Sequence, residues 1–328
     1  MTPRQRFRET MRYGRPDRVP FLEEGLRDDV LERWQEQGLA AGADLAAMFG
    51  YDRRERISLN LGLRPPLKKW PTSRRGLGAY RRRLDPDDPD RLGRDWPARV
   101  AAWAQRDAIL ELPVHSGLFL TMGVEDWSRL SEVLYQLVDQ PGLIGEMLEI
   151  HGHFVARVLE RVLREVEVDF ATFSEPIGGN DGPMLSPRMY EQVVLAGYRP
   201  ILEVLRRHGV ETIVYLSYAN PRPLLPSVVE AGFNCLWACE ASPKAMDYRD
   251  LRRQFGRSLR LIGGIDLDTL LADESTIRSE ILAKVPPLLA DGGYIPLADG
   301  RVRVDIPFES YRCYRRTLEE VVQEGRAR

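Results

Sequence analysis

The stretch TIVYLSYANPRPLLP, residues 212–226, decides the fold class. Its first seven residues are apolar and β-prone, a polar tip follows, and the prolines after the tip are typical of a helix start. Three other segments also run from apolar β-prone residues into polar ones, with helical sequence between them: DFATFSEPIGGNDGPMLSP (169–187), FNCLWACEAS (233–242) and LRLIGGIDLD (259–268). This repetition predicts βα units, in which functional side chains lie where the strands end.

The same pattern, followed along the chain, predicts seven strands, with an eighth near ERISLNLG (55–62). The seven are 17–24, 108–119, 168–174, 212–218, 233–238, 259–265 and 292–297. Eight βα units predict an α/β fold of the (β/α)8 TIM-barrel type, as a single domain over 1–328. A doubly wound open sheet is the alternative, but no glycine fingerprint follows the first strand.

Composition narrows the class of protein. The chain of 328 residues is 43% hydrophobic and 29% charged, which is typical of a soluble globular protein, and its net charge of −2 creates no field that attracts nucleic acid or membranes. No apolar run approaches the roughly 20 residues of a membrane span, and MTPRQRFRET has no signal-peptide core. Three cysteines give no disulfide framework. We therefore expect a cytoplasmic protein without nucleic-acid or membrane partners.

A basic excursion interrupts the repeat over residues 51–105. Between positions 53 and 83 there are eleven Arg or Lys residues and one acid, Glu55, before DPDDPD (85–90) reverses the charge. The excursion could steer an anionic substrate or the acidic face of a protein partner. The simpler interpretation, which we favour, is a solvated surface flap whose charge DPDDPD neutralises locally.

Several of these motifs, in order, resemble the uroporphyrinogen decarboxylase-like superfamily over nearly the whole chain. They are PDRVP (16–20), SEP…GP…SP within 174–187, the 212–226 unit, GGID (263–266) and GGYIP (292–296) before DIPFESYRCYRR. The resemblance implies one (β/α)8 barrel domain. It also implies either a cofactor-free porphyrinogen decarboxylase or a zinc-dependent methyltransferase that works with corrinoid proteins.

The methyltransferase branch implies a pair of zinc ligands at the tip of the 212–220 strand. Residues two apart on a strand share a face, so both ligands would point into the barrel. This chain has Leu216 and Tyr218 at those positions, and Asp299 but no cysteine near the last strand. Leucine cannot bind a metal, and a lone tyrosine is a poor zinc ligand. We therefore expect no zinc and no other cofactor.

The decarboxylase branch implies paired arginines after the first strand and an aspartate that holds pyrrole nitrogens. Only Arg27 follows the first predicted strand, and the aspartate's segment corresponds to RISLNLGL, where Asn60 is the nearest polar residue. An amide accepts a pyrrole N–H but cannot stabilise a cation as a carboxylate does. Decarboxylation of uroporphyrinogen III itself is therefore disfavoured.

Polar side chains at the remaining strand ends are the candidate site residues. The predicted catalytic acids and bases are Glu175, Glu240 and Asp266. The predicted substrate-binding residues are Arg27, Asn60, His115, Asn180, Tyr215, Tyr218, Asn220, Tyr294 and Asp299. The alternative is that the carboxylates cap helices or pair with arginines. We interpret His151, His153 and His208 as structural, and Cys235 and Cys239 as packed free thiols.

Three functions stay open. The first is a zinc-free enzyme, decarboxylase-like, that acts on an anionic small molecule such as a tetrapyrrole through carboxylates at the barrel mouth. The second is a corrinoid-dependent methyltransferase with metal ligands relocated to Glu175, Glu240 and Asp299. The third is a non-catalytic binding protein on the same barrel. A small-molecule substrate is the expected partner, and a corrinoid protein or a homodimer is compatible with the resemblance.

Overall fold

A computed structural model describes residues 1–179, 181–241 and 245–324. Seven parallel strands form one curled sheet in the order β1-β2-β3-β6-β7-β8-β9. These strands are β1 (Arg54–Arg56), β2 (Ile109–His115), β3 (Phe170–Glu175), β6 (Ile213–Tyr218), β7 (Cys235–Cys239), β8 (Arg260–Gly263) and β9 (Tyr294–Ile295). A small antiparallel hairpin, β4 (Gly178–Gly179) and β5 (Gly182–Pro183), lies beyond the end of β3. The mixed α/β class with a parallel sheet is thus confirmed.

Helices precede, connect and follow the strands. They are α1 (Pro3–Met11), α2 (Val30–Glu36), α3 (Leu45–Met48), α4 (Leu77–Arg81), α5 (Trp96–Ala104), α6 (Leu118–Thr121), α7 (Trp127–Asp139), α8 (Pro141–Glu165), α9 (Pro187–Met189), α10 (Ala196–Arg207), α11 (Leu225–Ala231), α12 (Tyr248–Phe255), α13 (Glu274–Asp291) and α14 (Phe308–Glu324). A π-helical turn, Tyr190–Leu195, joins α9 to α10. In the described residues, no helix is both long and apolar enough to cross a membrane.

The sheet has two faces with different partners. On the concave face, which we call the bore, side chains of different strands pack on one another, and α1 adds Phe7 and Met11. The bore-facing strand residues include Phe170, Val214, Leu216, Cys235, Trp237, Cys239, Ile262 and Ile295. The alternate residues of the same strands pack against the helices. This period of two decides which of the predicted site residues can reach a ligand in the bore.

The segment predicted as the first strand, 17–24, is not a strand in the structure. It is extended, but its backbone makes only scattered contacts: Asp52 N donates to Phe21 O (2.9 Å), and a single parallel bridge joins Leu26 to Val302. Pro20 removes one amide donor, and the Asp52 carboxylate takes the Phe21 amide (2.8 Å) in place of a ladder carbonyl. The predicted eight-strand count is therefore not confirmed. The strand expected near 55–62 does exist, shortened to Arg54–Arg56.

Candidate active site

A large cleft opens at the carboxyl ends of β1, β2 and β3. Its volume is about 1310 Å³. Its lining mixes polar and apolar side chains, and most of the apolar ones come from the excursion between β1 and α5. The polar side chains include Arg56, Asn60, His115, Ser116 and Ser174, and the apolar ones include Leu59, Leu61, Leu63, Leu67, Trp70 and Leu120. Clefts at this edge of a parallel sheet are where ligands bind in α/β proteins, and this one can enclose a large molecule.

Arg91 fixes the backbone of residues 60–62, which line the cleft. Its buried guanidinium donates to the carbonyl oxygens of Asn60 (3.1 Å) and Gly62 (2.6 Å), and it stacks 4.6 Å from the Phe154 ring centre. An arginine whose N–H groups bind backbone carbonyls fixes a loop, since arginine presents several donors in a rigid fork. At least part of the basic excursion is therefore structural.

An ion cluster lies on the bore side of β1 and β2, and its Arg56 also lines the cleft. Strand β1 reads Arg54-Glu55-Arg56, so its two arginines share the bore face, beside Glu111 of β2. The buried Glu111 carboxylate lies 3.6 Å from Arg54 Nη1 and 3.5 Å from Arg56 Nε. These distances are too long for firm hydrogen bonds, and none to the Glu111 carboxylate occurs within the described residues. A loosely held carboxylate between two guanidiniums can rearrange around an incoming ligand.

Glu24 adds a second carboxylate to this cluster. Burial is the main cause that raises its pKa, and the charge of Glu111 adds to the effect, whereas Arg54 and Arg56 oppose it. A carboxyl group with a raised pKa can hold a proton closer to neutral pH, which is the property required of a general acid or base.

Aromatic and thiol groups line the bore below the cluster. Arg54 stacks over Trp237, 5.1 Å from the ring centre, and the indole N–H of Trp237 is buried without an acceptor among the described residues. Tyr218 and Cys239 are register partners on β6 and β7. Burial raises the pKa of Tyr218 to about 12, with the charges of Cys239 and Glu24 adding to it. Burial likewise raises the pKa of the Cys239 thiol. Both groups are therefore neutral near pH 7.

His115, which the sequence analysis proposes as a substrate-binding residue, lines the cleft and lies beside a second histidine. Its Nδ1 accepts the Gly117 N–H (2.9 Å), and its ring lies 5.1 Å from that of His151. Since a carbonyl only accepts, His151 Nε2 must donate to Leu61 O (3.1 Å). Burial lowers the pKa of His115 far below its usual range, and the charge of His151 adds to the effect. Burial lowers the pKa of His151 to about 4. Both imidazoles are neutral at pH 7.

Glu175, predicted to be catalytic at the barrel mouth, points instead into the helix layer. Its carboxylate is fully buried and accepts hydrogen bonds from Leu118 N (2.9 Å), Tyr190 Oη (3.1 Å) and Tyr198 Oη (2.5 Å). Burial raises the pKa of Glu175 to about 7 although these three donors lower it. The placement follows from strand alternation, because Glu175 is an odd step from the bore-facing Phe170.

The other two predicted catalytic acids lie at the surface or at a helix start. Glu240 is half-exposed and pairs with Arg27 at 2.9 Å, which places two predicted site residues together at the rim. Asp266 caps a short 3-10 helix by accepting the Asp268 N–H (3.0 Å), so the capping alternative describes its contacts. Burial is the largest cause that raises the pKa of Asp266.

The remaining predicted substrate-binding residues divide by face. Tyr215 and Tyr294 pack in the helix-facing core rather than in the bore, and Tyr294 Oη donates to Gly263 O (3.0 Å). Asn220 uses its side chain to accept the Arg222 N–H (3.1 Å). Asp299 is buried, accepts the Leu267 N–H (2.8 Å), and has its pKa raised to about 8, mainly by burial. Asn180 lies outside the described residues.

Sequence analysis overlooked the residues that form the ion cluster. A lone glutamate at an alternating position of the apolar strand ILELPVH, and the period-two pair in Arg-Glu-Arg, were signals that could have found Glu111, Arg54 and Arg56. His151 was read only as a helix residue, because nothing in its local sequence places it against the cleft.

The donor set at the strand tips does not suit zinc. Leu216 faces the bore without a donor atom and Tyr218 offers a neutral phenol. Of the relocated ligands considered above, Glu175 faces the helices while Glu240 lies at the rim. Across the described residues, no three His, Cys, Asp or Glu side chains converge as a metal site.

This combination of a curled parallel sheet, flanking helices and a cleft at the carboxyl ends defines a barrel-like α/β protein. Comparison with known proteins gives its family. Residues 123–314, more than half of the chain, match the uroporphyrinogen decarboxylase (URO-D) family. The chain belongs to that family.

A solved structure supports the same fold. A methyltransferase from Methanosarcina mazei matches 98% of this chain and 99% of its own, with a TM-score of 0.60 and 15% identity. At that identity the likeness shows the fold alone. No curated protein matches the chain.

Proposed function

We propose that this chain is an enzyme that binds an anionic small molecule in the 1310 Å³ cleft and acts on it at the ion cluster, without zinc. The observation that carries the proposal is the loosely paired Glu111 between Arg54 and Arg56. Buried charged groups are normally held by short hydrogen bonds, so groups left at 3.5–3.6 Å suit a ligand that completes them.

In the proposed complex the two arginines bind an anionic group of the ligand. Guanidinium groups bind carboxylates strongly and with defined geometry. Glu24 and Glu111 then lie beside the bound anion, where Glu24 is the candidate acid or base. The leucines and Trp70 that line the cleft suit an apolar body, so a tetrapyrrole with carboxylate substituents is a fitting ligand class.

We also infer that the segment 20–26 completes an eight-membered barrel. It hydrogen-bonds on one side to Asp52, next to β1, and on the other side to Val302, through Val302 N to Gly25 O (2.9 Å) and Arg27 N to Val302 O (3.0 Å). If this holds, the amides of Asp52 and Val302 should exchange as slowly as those of β9. Fast exchange of both would mean an open sheet.

The test of the proposed function is a thermal-shift screen with uroporphyrinogen, coproporphyrinogen, cobalamin and divalent metals. A ligand that binds only the native state raises the apparent melting temperature. We expect an anionic tetrapyrrole to raise it, and Arg54→Gln with Arg56→Gln to abolish the shift. Arg53→Gln is the matched control, because that exposed side chain on the same segment pairs with Glu55 and, among the described residues, with no member of the ion cluster.

Two results would contradict the proposal. Stoichiometric zinc in the purified protein would overturn the zinc-free chemistry. A ligand shift that survives the double arginine substitution would remove the ion cluster from the site. Turnover of the bound probe that is lost in Glu24→Gln distinguishes an enzyme from a non-catalytic binding protein.

A further inference from the structure

Four uncharged polar side chains line the cleft at the carboxyl ends of β2 and β3. They are His115, Ser116, Thr121 and Ser174, and we call them the neutral group. Ser116 and Ser174 directly follow a register pair of the two strands, which places them at neighbouring positions. The ion cluster, by contrast, consists of charged side chains on the bore side of β1 and β2.

A tight turn after β2 fixes the neutral group. Gly117 has φ of +87°, and an added Cβ there would lie 2.6 Å from Ser174 O, so the turn lies directly against the end of β3. The Leu118 N–H donates to the buried Glu175 carboxylate (2.9 Å). The Thr121 N–H donates to Gly117 O (3.1 Å). The polar side chains of the turn are therefore positioned before a ligand binds, which lowers the entropic cost of binding.

His115 is an oriented hydrogen-bond donor within this group. Its Nδ1 accepts the Gly117 N–H (2.9 Å), and the ring is neutral at pH 7 because burial lowers its pKa, so its one N–H proton is on Nε2. The ring packs against those of Tyr198 (4.4 Å between centres) and His151 (5.1 Å). Among the described residues, the one hydrogen-bond contact of Nε2 is Thr121 Oγ1 at 3.5 Å, which is longer than a firm hydrogen bond. His115 therefore has an N–H that a ligand in the cleft can take over.

Three hydroxyl groups accompany this donor without firm partners. Ser116 is exposed, and Thr121 and Ser174 are half-buried. Across the part of the chain that the structure describes, the two serine hydroxyls make no hydrogen bond with the protein, and no arginine or lysine bonds to any member of the neutral group. A carboxylate held here would lose water without a cation beside it, which is costly. The neutral group therefore favours an uncharged part of a ligand.

We propose that the neutral group is a second subsite of the cleft and that it binds an uncharged amide or lactam group of the ligand. The carbonyl oxygen of such a group accepts a hydrogen bond from His115 Nε2, and its N–H donates to the hydroxyl of Ser116 or Ser174, since a hydroxyl both donates and accepts. This inference rests on the proposed function, because the same ligand places its anionic group at the ion cluster. It narrows the substrate class to an anionic molecule that also carries an uncharged amide or lactam.

The first experiment uses pyrrolidinone, a five-membered lactam without charge, as the probe. The protein carries isotopically labelled histidine, and the imidazole signals are followed by NMR during titration. The chain has four histidines, so substitution of the other three by glutamine assigns the His115 signal. That signal should shift with saturation at a dissociation constant on the order of 1–10 mM, as expected for a ligand of about six non-hydrogen atoms. The signals of His153 and His208, which do not line the cleft, should stay in place.

A variant and a second probe locate the contacts. Ser116→Ala with Ser174→Ala removes both hydroxyls but leaves the backbone contacts of the turn, so it should weaken pyrrolidinone binding by about fivefold or more at an unchanged melting temperature. Ser131→Ala, an exposed serine of α7, is the matched control and should bind as the wild type does. N-methylpyrrolidinone lacks the N–H, so it should bind the wild type more weakly than pyrrolidinone does. The two probes should bind the double serine variant equally.

Failure of this inference is separable from failure of the proposed function. Arg54→Gln with Arg56→Gln should leave pyrrolidinone binding unchanged, since the probe has no charge. If an anionic tetrapyrrole binds through these arginines while pyrrolidinone leaves His115 unaffected, the proposed function stands and the subsite does not. If pyrrolidinone binds through the serines while no anionic ligand binds, the subsite stands and the ion cluster does not.

Three results would overturn the inference. A His115 signal that stays in place at the highest pyrrolidinone concentration would show that water alone completes the neutral group. Equal affinity of the wild type and the double serine variant would place the probe elsewhere. Equal binding of pyrrolidinone and its N-methyl derivative to the wild type would remove the hydroxyls as acceptors of the ligand N–H.

Discussion

Glu111 and Glu175 are buried carboxylates on neighbouring strands, and they differ in what surrounds them. Glu175 faces the helices and accepts three hydrogen bonds of 2.5–3.1 Å from an amide and two phenols. Glu111 faces the bore and has only two arginines at 3.5 and 3.6 Å. A buried carboxylate whose hydrogen bonds are all made by the protein indicates a structural role. A buried carboxylate that lacks such hydrogen bonds indicates a place for a ligand.

The two carboxylates also differ in the geometry that fixes them. Gly117, with φ of +87°, brings the chain so close to Glu175 that an added Cβ would lie 2.7 Å from its Oε1. That contact, the Leu118 amide and the neighbouring His115 form one packed turn after β2. The ion cluster instead meets the cleft through Arg56.

The largest expected effect follows from removing the Glu175 carboxyl group. Glu175→Ala leaves the Leu118 amide and two phenols without their acceptor, and buried groups left unpaired cost about 1–3 kcal/mol each. We expect the free energy of unfolding at pH 6 to fall by about 3 kcal/mol or more. Urea denaturation measures it, with Glu240→Ala as the exposed control. A loss below about 1 kcal/mol would contradict the structural role.

A second prediction concerns pH. The pKa of Glu175 is about 7 in the folded chain, above its ordinary value, so the contribution of this group to stability is full at acid pH and is lost as pH rises through 7. Glu175→Gln keeps the size and an acceptor oxygen without the charge. We expect this variant to be more stable than wild type by about 2 kcal/mol at pH 8.5 and indistinguishable at pH 4.5. Urea denaturation across that range tests the slope, and parallel curves for the two proteins would refute it.

A third prediction separates binding from stability at Glu111. Glu111→Gln removes a carboxylate that makes no firm hydrogen bond, so the free energy of unfolding should change by less than about 1 kcal/mol. Affinity for an anionic tetrapyrrole should nevertheless increase by about tenfold or more, because the two arginines lose the negative charge between them. Calorimetric titration with uroporphyrinogen measures this. Unaltered affinity would show that the cluster does not contact the ligand.

The smallest effect is expected at the rim. Glu240 and Arg27 form an exposed pair, and such pairs contribute about 0–1 kcal/mol. Glu240→Gln should therefore change the free energy of unfolding, measured by thermal denaturation, by less than about 0.5 kcal/mol. Added salt should abolish any difference. A larger, salt-insensitive loss would indicate that the rim is part of the folding core.

Apolar β-prone runs that end in polar residues, with helical sequence between them, predicted most of the strands and their parallel arrangement. Residues 212–218 were predicted as a strand, and β6 spans Ile213–Tyr218. The same reasoning failed at 17–24. That segment has the apolar pattern of a strand, but near Pro20 its backbone bonds to Asp52 instead of forming the ladder of hydrogen bonds that defines a strand. The local sequence does not show whether neighbouring strands will form backbone hydrogen bonds with a segment.

Prediction of the site was limited by the face on which each side chain lies. The strand ends were identified from the sequence. Which of Glu111 and Glu175 faces the bore depends on the orientation of β2 and β3, and that orientation is fixed only by packing across the sheet. Asn60 and His115, predicted to bind substrate, line the cleft, and their role there stays a prediction. His151 and Arg54 join the site through contacts distant in sequence, with Leu61 and Trp237. Such contacts leave no local signal.

The most direct test of the account compares Glu111→Gln with Glu175→Gln for binding of the anionic tetrapyrrole that stabilises the wild-type chain most in the screen. The account predicts that Glu111→Gln lowers the dissociation constant by about tenfold or more, whereas Glu175→Gln leaves it within about twofold, at pH 7 and equal salt. The opposite result, with binding sensitive to Glu175 and indifferent to Glu111, would contradict it.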